Sequence, residues 1–242
     1  MSAAVAVSAL VFSVTAPASA RDASYTVVLA QDSFFGFNPS FNGLVPVNDK
    51  VDFSFYGTFW TRPAFGAGGT GGNLWTEFGV GANFNLDDGK LKVKPQIGIT
   101  NGSLLSGGAR LRPTQPATGS NFGDGIVPSL TVNYADDKIE GEFYAGYYAA
   151  LRERNRTGSL DFLHTWVNVG YKASSLVSFG PHYEILSNSR AVGGRANKTY
   201  EWLGAYVQFT LPKGFFARLT GGADLDKDNA GDFYKMSVGM TF

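Results

Sequence analysis

Cysteine is absent from the 242 residues, which rules out disulfides and thiolate metal centres. Charge is scarce. Only 17% of residues are charged, and 20 basic side chains cancel 20 acidic ones, so no bulk field points to an acidic or basic partner. Nothing in the sequence carries the basic footprint of a nucleic-acid binder. Past the N-terminal segment there is no run of about 18 apolar residues, which excludes a membrane-spanning helix. It does not exclude membrane-spanning strands, whose alternating pattern averages to near-neutral hydropathy. Only two histidines occur, and no phosphate-binding or dinucleotide loop is present.

Glycine (31 residues) and aromatics (14%) are abundant instead. Residues 1–20 read as an export signal: Ala3 to Val14 is mostly apolar, and Ala18-Ser19-Ala20 is a small-x-small cleavage site before Arg21. A second cut is open after Ala30, within V-L-A before Gln31, but would leave Arg21 and Asp22 inside the signal. Residues 21–242 are expected to form one domain.

Past residue 36 the chain divides into strand pairs joined by very short turns. Asn48-Asp49-Lys50, Asp87-Asp88-Gly89-Lys90, Asp136-Asp137-Lys138, Ser174-Ser175 and Pro212-Lys213-Gly214 each have a local reason to bend. Two pairs resemble each other, N-P-S-F-N-G-L-V-P-V-N-D-K and V-P-S-L-T-V-N-Y-A-D-D-K, as in a hairpin repeat. The other ends are joined by longer segments: the Gly-rich Pro63–Asn73, Gly102–Gly125, Arg152–Ser159 and Asn188–Lys198. Basic residues gather there, at Arg110, Arg112, Arg152, Arg154, Arg156, Arg190, Arg195 and Lys198.

Successive side chains of a strand point to opposite faces, so each strand can be sorted. Val51, Phe53, Phe55 and Phe59 oppose Asp52, Ser54, Tyr56, Trp60 and Arg62. Phe78, Val80 and Phe84 oppose Trp75, Glu77 and Asn83. Leu91, Val93, Ile97 and Ile99 oppose Lys92, Lys94 and Gln96. Ile139 and Phe143 oppose Glu140, Glu142, Tyr144 and Tyr148, and Val177, Phe179 and Ile185 oppose His182 and Glu184. One apolar face per strand is what lipid on one side demands, since a Lys or Arg facing mid-bilayer costs roughly 2–4 kcal/mol. Asp161 and Glu201 break the pattern, at outer strand ends where that cost fades.

The last strand, F-Y-K-M-S-V-G-M-T-F, carries a resemblance. Lys235, Met240 and Phe242 fit the closing strand and assembly signal of bacterial outer-membrane β-barrels, with Ser237 at the usual glycine position and Gly239 two residues on. The whole chain after Ala20 is similar to small outer-membrane barrels, and more closely to an uncharacterised porin-like family of them. The resemblance implies an all-β, closed up-and-down antiparallel transmembrane barrel in the outer membrane of a Gram-negative bacterium. Short turns would face the periplasm, outer-membrane lipid and lipopolysaccharide would be partners, and the barrel-assembly machinery would read Phe242. Eleven strands are expected from Phe37 onward, and Ala23–Gln31, which alternates poorly, makes twelve; ten is the alternative count. A soluble β-sandwich or lipocalin-like barrel would invert the faces.

The inward face then supplies the candidate site. Trp60, Trp75, Trp166 and Trp202 all fall on it, with Tyr56, Tyr144, Tyr148, Tyr200, Tyr206 and Phe216. Such rings stack on planar solutes, or simply fill a narrow interior. Inward charges include Asp52, Arg62, Glu77, Lys92, Lys94, Glu140, Glu142, Lys172, Glu184, Arg218, Asp224 and Lys235. Lys92 and Lys94 against Glu140 and Glu142 would form opposed walls with a transverse field, or an ion-pair core that blocks passage. The expected function is passive diffusion of small polar solutes, with Gly102–Gly125 as gate or constriction. A closed structural or adhesive barrel is second, and a lipid-modifying enzyme third. Enzymatic activity, a cofactor and a metal are not expected. His182 lies five residues from Ser187, and His164 lies at odd offsets from Asp161 and Ser159, so in regular strands none of these pairs shares a face. His164, His182 and Glu184 share the inward face but have no defined metal spacing.

Overall fold

The computed structural model describes residues 21–60, 75–102, 105, 121–155, 157–226 and 231–242. The expected signal segment 1–20, Arg62, Arg110, Arg112, Arg156, the Gly-rich segment 63–73 and residues 103–104 and 106–120 of the expected gate lie outside them.

The strands are β1 (Ser24–Asp32), β2 (Gly36–Phe37), β3 (Ser40–Pro46), β4 (Val51–Trp60), β5 (Trp75–Leu86), β6 (Leu91–Gly102), β7 (Asn121–Ala135), β8 (Ile139–Ala150), β9 (Leu160–Lys172), β10 (Val177–Ala191), β11 (Lys198–Thr210), β12 (Phe215–Asp224) and β13 (Gly231–Thr241). β2 is a two-residue strand folded back on the end of β1. The other twelve pair antiparallel in sequence order, and β13 pairs with β1 to close the ring. The count is therefore twelve, with the poorly alternating N-terminal strand as a full member. The closing seam runs from Thr26 opposite Thr241 to Asp32 opposite Lys235, and Tyr25 and Phe242 exchange backbone hydrogen bonds of 2.8 and 2.9 Å below it. Closure leaves no free edge on the twelve-strand ring of described residues, the condition for strands in lipid.

The short turns form as their residues dictate. Asn48 Oδ1 accepts from the N–H of Lys50 and Val51 at 2.9 and 3.0 Å, and Asp136 Oδ1 accepts from Lys138 and Ile139 at 2.7 Å each. Those two N–H groups, Ile139 first, hold the Asp136 carboxyl down to about 2. Asp87, Asp88 and Gly89 all take positive φ in a tight 3-10 turn, as do Lys213 and Gly214 after Pro212.

The alternation sorts as expected, inside out relative to a soluble protein. Phe53, Val80 and Ile97 are 45%, 48% and 49% exposed on the outer wall. Asp52, Glu77 and Glu184 are 3%, 1% and 0% exposed within. An apolar belt of this extent is stable against lipid rather than water. The two outward carboxylates sit at the outer rim with their own partners. Asp161 takes Arg154 and Arg190 at 2.6 and 2.7 Å, and Glu201 takes Lys198 and, at 2.8 Å, the Tyr183 hydroxyl. The outer rim is thus tied down by ion pairs where the apolar belt ends.

Candidate functional site: the lumen

A cavity of about 790 Å³ runs along the barrel interior. Ser24, Thr210 and Thr241 line its turn-side end, and Asp32, Phe35 and Trp60 its outer end. Three tiers of side chains shape it.

The outer tier is aromatic. Trp60 and Trp75 are cross-strand partners and stack at 4.3 Å. Trp202 lies between Tyr200 at 4.1 Å and Phe233 at 4.6 Å, both near parallel. Trp75 and Trp202 are buried in two apolar clusters and are not part of the cavity wall, whereas Trp60 and Trp166 are. Trp166 stacks on Tyr144 at 3.9 Å, with the Lys235 ammonium 5.6 Å from its ring. Each indole thus has ring partners from the protein. Leu105, the one described residue within 103–120, is fully buried against the Trp75 cluster, its N–H donated to Asp124 at 2.8 Å.

The segment after β1 completes this tier. Asp32 Oδ1 accepts from the N–H groups of Phe34 and Phe35 at 2.8 and 2.5 Å, and Asn38 Nδ2 donates to Asp32 Oδ2 at 3.2 Å. This turn aims both phenyl rings inward. Phe34 packs edge-on to Tyr200 at 4.9 Å, and Phe35 lies 5.8 Å from the His164 ring on β9 and 6.3 Å from Trp60 on β4. Phe35 therefore contacts strands on two sides of the mouth. Sequence reasoning did not identify Asp32, Phe35 or Asn38; the available signal was an Asp just ahead of Phe-Phe-Gly, an Asx-turn pattern.

The middle tier centres on Glu184. Its carboxylate accepts from Tyr200 at 2.7 Å and pairs with His164 at 2.8 Å, with His182 at 3.2 Å, and with Lys235. The histidines are not cross-strand neighbours, since His164 faces Leu186 and His182 faces Asn168, but both reach the one carboxylate. No group of three or more metal-ligating side chains is suited to a metal among the described residues. Nearby, Tyr56 donates to Glu77, and the Tyr144 and Tyr148 hydroxyls lie 3.2 Å apart. Tyr56 crosses directly over Gly79 and Gly98, where any Cβ would strike its ring or hydroxyl.

The turn-side tier holds the remaining charges. Glu140 accepts from Ser178 at 2.8 Å and Tyr206 at 2.7 Å, with Arg218 at 4.0 Å. Arg218 stacks over Tyr206 and donates to Gln208 at 2.9 Å. Asp52 takes Arg21 at 2.8 Å and Asn83 at 2.7 Å. Lys172 donates to the Asp136 carbonyl at 2.7 Å, whereas Asp224 lies at the outer end of β12 and accepts there from Trp202 at 3.2 Å. Phe216 lines the cavity. The expectation of opposed basic and acidic walls is corrected by the register. Lys92 faces Asn133, which faces Glu142, so all three lie in one row on adjacent strands. Asn133 Nδ2 donates to Glu142 at 3.3 Å, and Trp166 Nε1 donates to it at 2.6 Å.

A family model described as a family of unknown function, DUF6733, matches residues 1–242. No curated protein matches the sequence. Among solved structures, the COG4313 outer membrane channel from Pseudomonas putida F1 is similar, with a TM-score of 0.57 at 12% identity, covering 91% of this chain and 96% of that one. The NanC porin gives a TM-score of 0.53 at 12% identity, covering 89% and 98%. Both likenesses are in fold.

Proposed function

The chain belongs to the family of unknown function DUF6733, and we propose that it is a porin-like channel of the bacterial outer membrane for passive diffusion of small polar solutes. The observation that carries this reading is the cavity of about 790 Å³, walled by hydroxyls, amides and charges inside an apolar shell. The fold it shares with an outer membrane channel and a porin supports it. Solutes move down their gradient, and the wall replaces part of their hydration. The proposed narrow point is Phe35 with Trp60 and Tyr148, which line the cavity, Phe34 packing against Phe35 and Tyr200 beside them. Lipopolysaccharide phosphates are proposed partners of the basic rim, and the assembly machinery of Phe242, which is 61% exposed.

The test is single-channel recording of the refolded full chain in planar bilayers. Discrete conductance steps support a channel, and their absence at high protein loading overturns it. The closed structural barrel is the second reading, favoured by the aromatic clusters that fill the outer tier. It yields no steps in the same recording. The lipid-modifying reading draws no support from His164 and His182, whose partners are Glu184, Tyr200 and Asn168.

A further inference from the structure

The lumenal carboxylates are already provided with donors. Glu142 has Trp166, Asn133 and Asn168; Glu140 has Ser178 and Tyr206; Glu184 has His164, Tyr200 and Lys235; Asp32 has two backbone N–H groups. Glu77 keeps one oxygen without a partner, but that atom is buried out of reach of a solute. Lys235 is taken by Glu184, Lys172 by a turn carbonyl and Arg218 by Gln208 and Tyr206. Lys94 differs. It lines the cavity, half-buried, with no hydrogen bond or ion pair among the described residues. Lys92, two residues along the same face, repels it, while Glu142 attracts it across a gap. An ammonium partly withdrawn from water and left unpaired gains more from an arriving anion than a solvated one does. Its neighbours on the cavity wall are neutral: Thr131 directly opposite, Gln96 and Ser129 one step outward, Asn133 one step toward the turns.

We propose that Lys94, seconded by Lys92, is a solute subsite for small molecules carrying one carboxylate beside neutral hydroxyl or amide groups. The ammonium takes the carboxylate, and Thr131, Ser129, Gln96 and Asn133 exchange hydrogen bonds with the rest. A single negative charge fits better than a dianion, because Glu142 stands nearby on the same cavity wall. The inference rests on the channel reading, which makes the cavity a solute path.

Gluconate and sorbitol serve as probes: polyols of equal length that differ by one carboxylate. Ligand-observed NMR titration of the refolded full chain is expected to give about tenfold tighter binding of gluconate, the range of one charge-assisted hydrogen bond. Lys94→Gln should abolish the preference, Lys94→Arg should keep it, and Lys92→Gln should reduce it. The heat-modifiable gel shift of the barrel certifies that each variant is folded. Equal binding of the two probes, or an undiminished preference in folded Lys94→Gln, overturns the subsite. Gluconate preference in a barrel that gives no conductance steps keeps the subsite and overturns the channel reading instead.

Discussion

Replacing Glu184 with Gln should destabilise the barrel by about 3 kcal/mol. The side chain is fully buried, and Lys235, His164, His182 and Tyr200 converge on it. The amide still accepts from Tyr200 but turns an N–H₂ toward Lys235 and leaves that ammonium without its carboxylate. Breaking one side of a buried ion pair costs about 3–5 kcal/mol. The Lys235 side chain keeps 30% exposure and feels the more distant charge of Asp32, so it can rehydrate in part, which places the loss at the low end. Equilibrium urea unfolding in lipid vesicles, followed by tryptophan emission, reads this directly. Trp166 and Trp202 lie 5.6 and 5.9 Å from the Lys235 ammonium and report on the tier. Lys235→Met strands the fully buried carboxylate on Tyr200 and the two histidines and should cost at least as much, and the double variant should recover part of either loss, since contacting sites are non-additive by about 0.5–3 kcal/mol. A loss below about 1 kcal/mol, or strict additivity, would refute the idea that this cluster holds the lumen together.

Further outcomes are expected at other levels of the molecule. Phe35→Ala removes the ring that lies near both His164 and Trp60, and should raise single-channel conductance; an unchanged value would mean that the narrow point lies elsewhere. Gly98→Ala places a methyl against the Tyr56 hydroxyl and Glu77, and should cost about 1–3 kcal/mol in the same unfolding assay, as overpacking does. Val80→Lys, on the outer face of β5, should cost about 2–4 kcal/mol in a bilayer near mid-membrane, whereas Gln96→Lys on the inner face should cost far less.

Much of this fold is legible in the sequence because a strand needs only its own alternation and its turn. Asp136-Asp137-Lys138 bends by its own carboxylate, and Val80 and Ile97 cannot face water beside Glu77 and Gln96 without reversing a whole strand. β1 is less legible, because Val28 and Ala30 stand on the inner face and blur the pattern. What a strand pattern omits is the transverse geometry. Whether Lys92 opposes Glu142 or sits two strands away in the same row depends on barrel closure and register. The inward fold of Phe34 and Phe35 depends on rings from β4, β9 and β11, which are remote in sequence. For the same reason the indoles read as free stacking faces, while the register pairs Trp60 with Trp75 and sets Trp202 between Tyr200 and Phe233.

Everything about the lumen requires that alternate residues of one strand meet different solvents. The absence of native cysteine makes this directly measurable on β6. In reconstituted vesicles, a charged, membrane-impermeant thiol reagent should label Lys94→Cys and Gln96→Cys. It should spare Val93→Cys and Ile97→Cys, which a lipid-borne quencher should reach once they carry a fluorophore. Labelling of positions 93 and 97 with protection of 94 and 96 would contradict an aqueous interior.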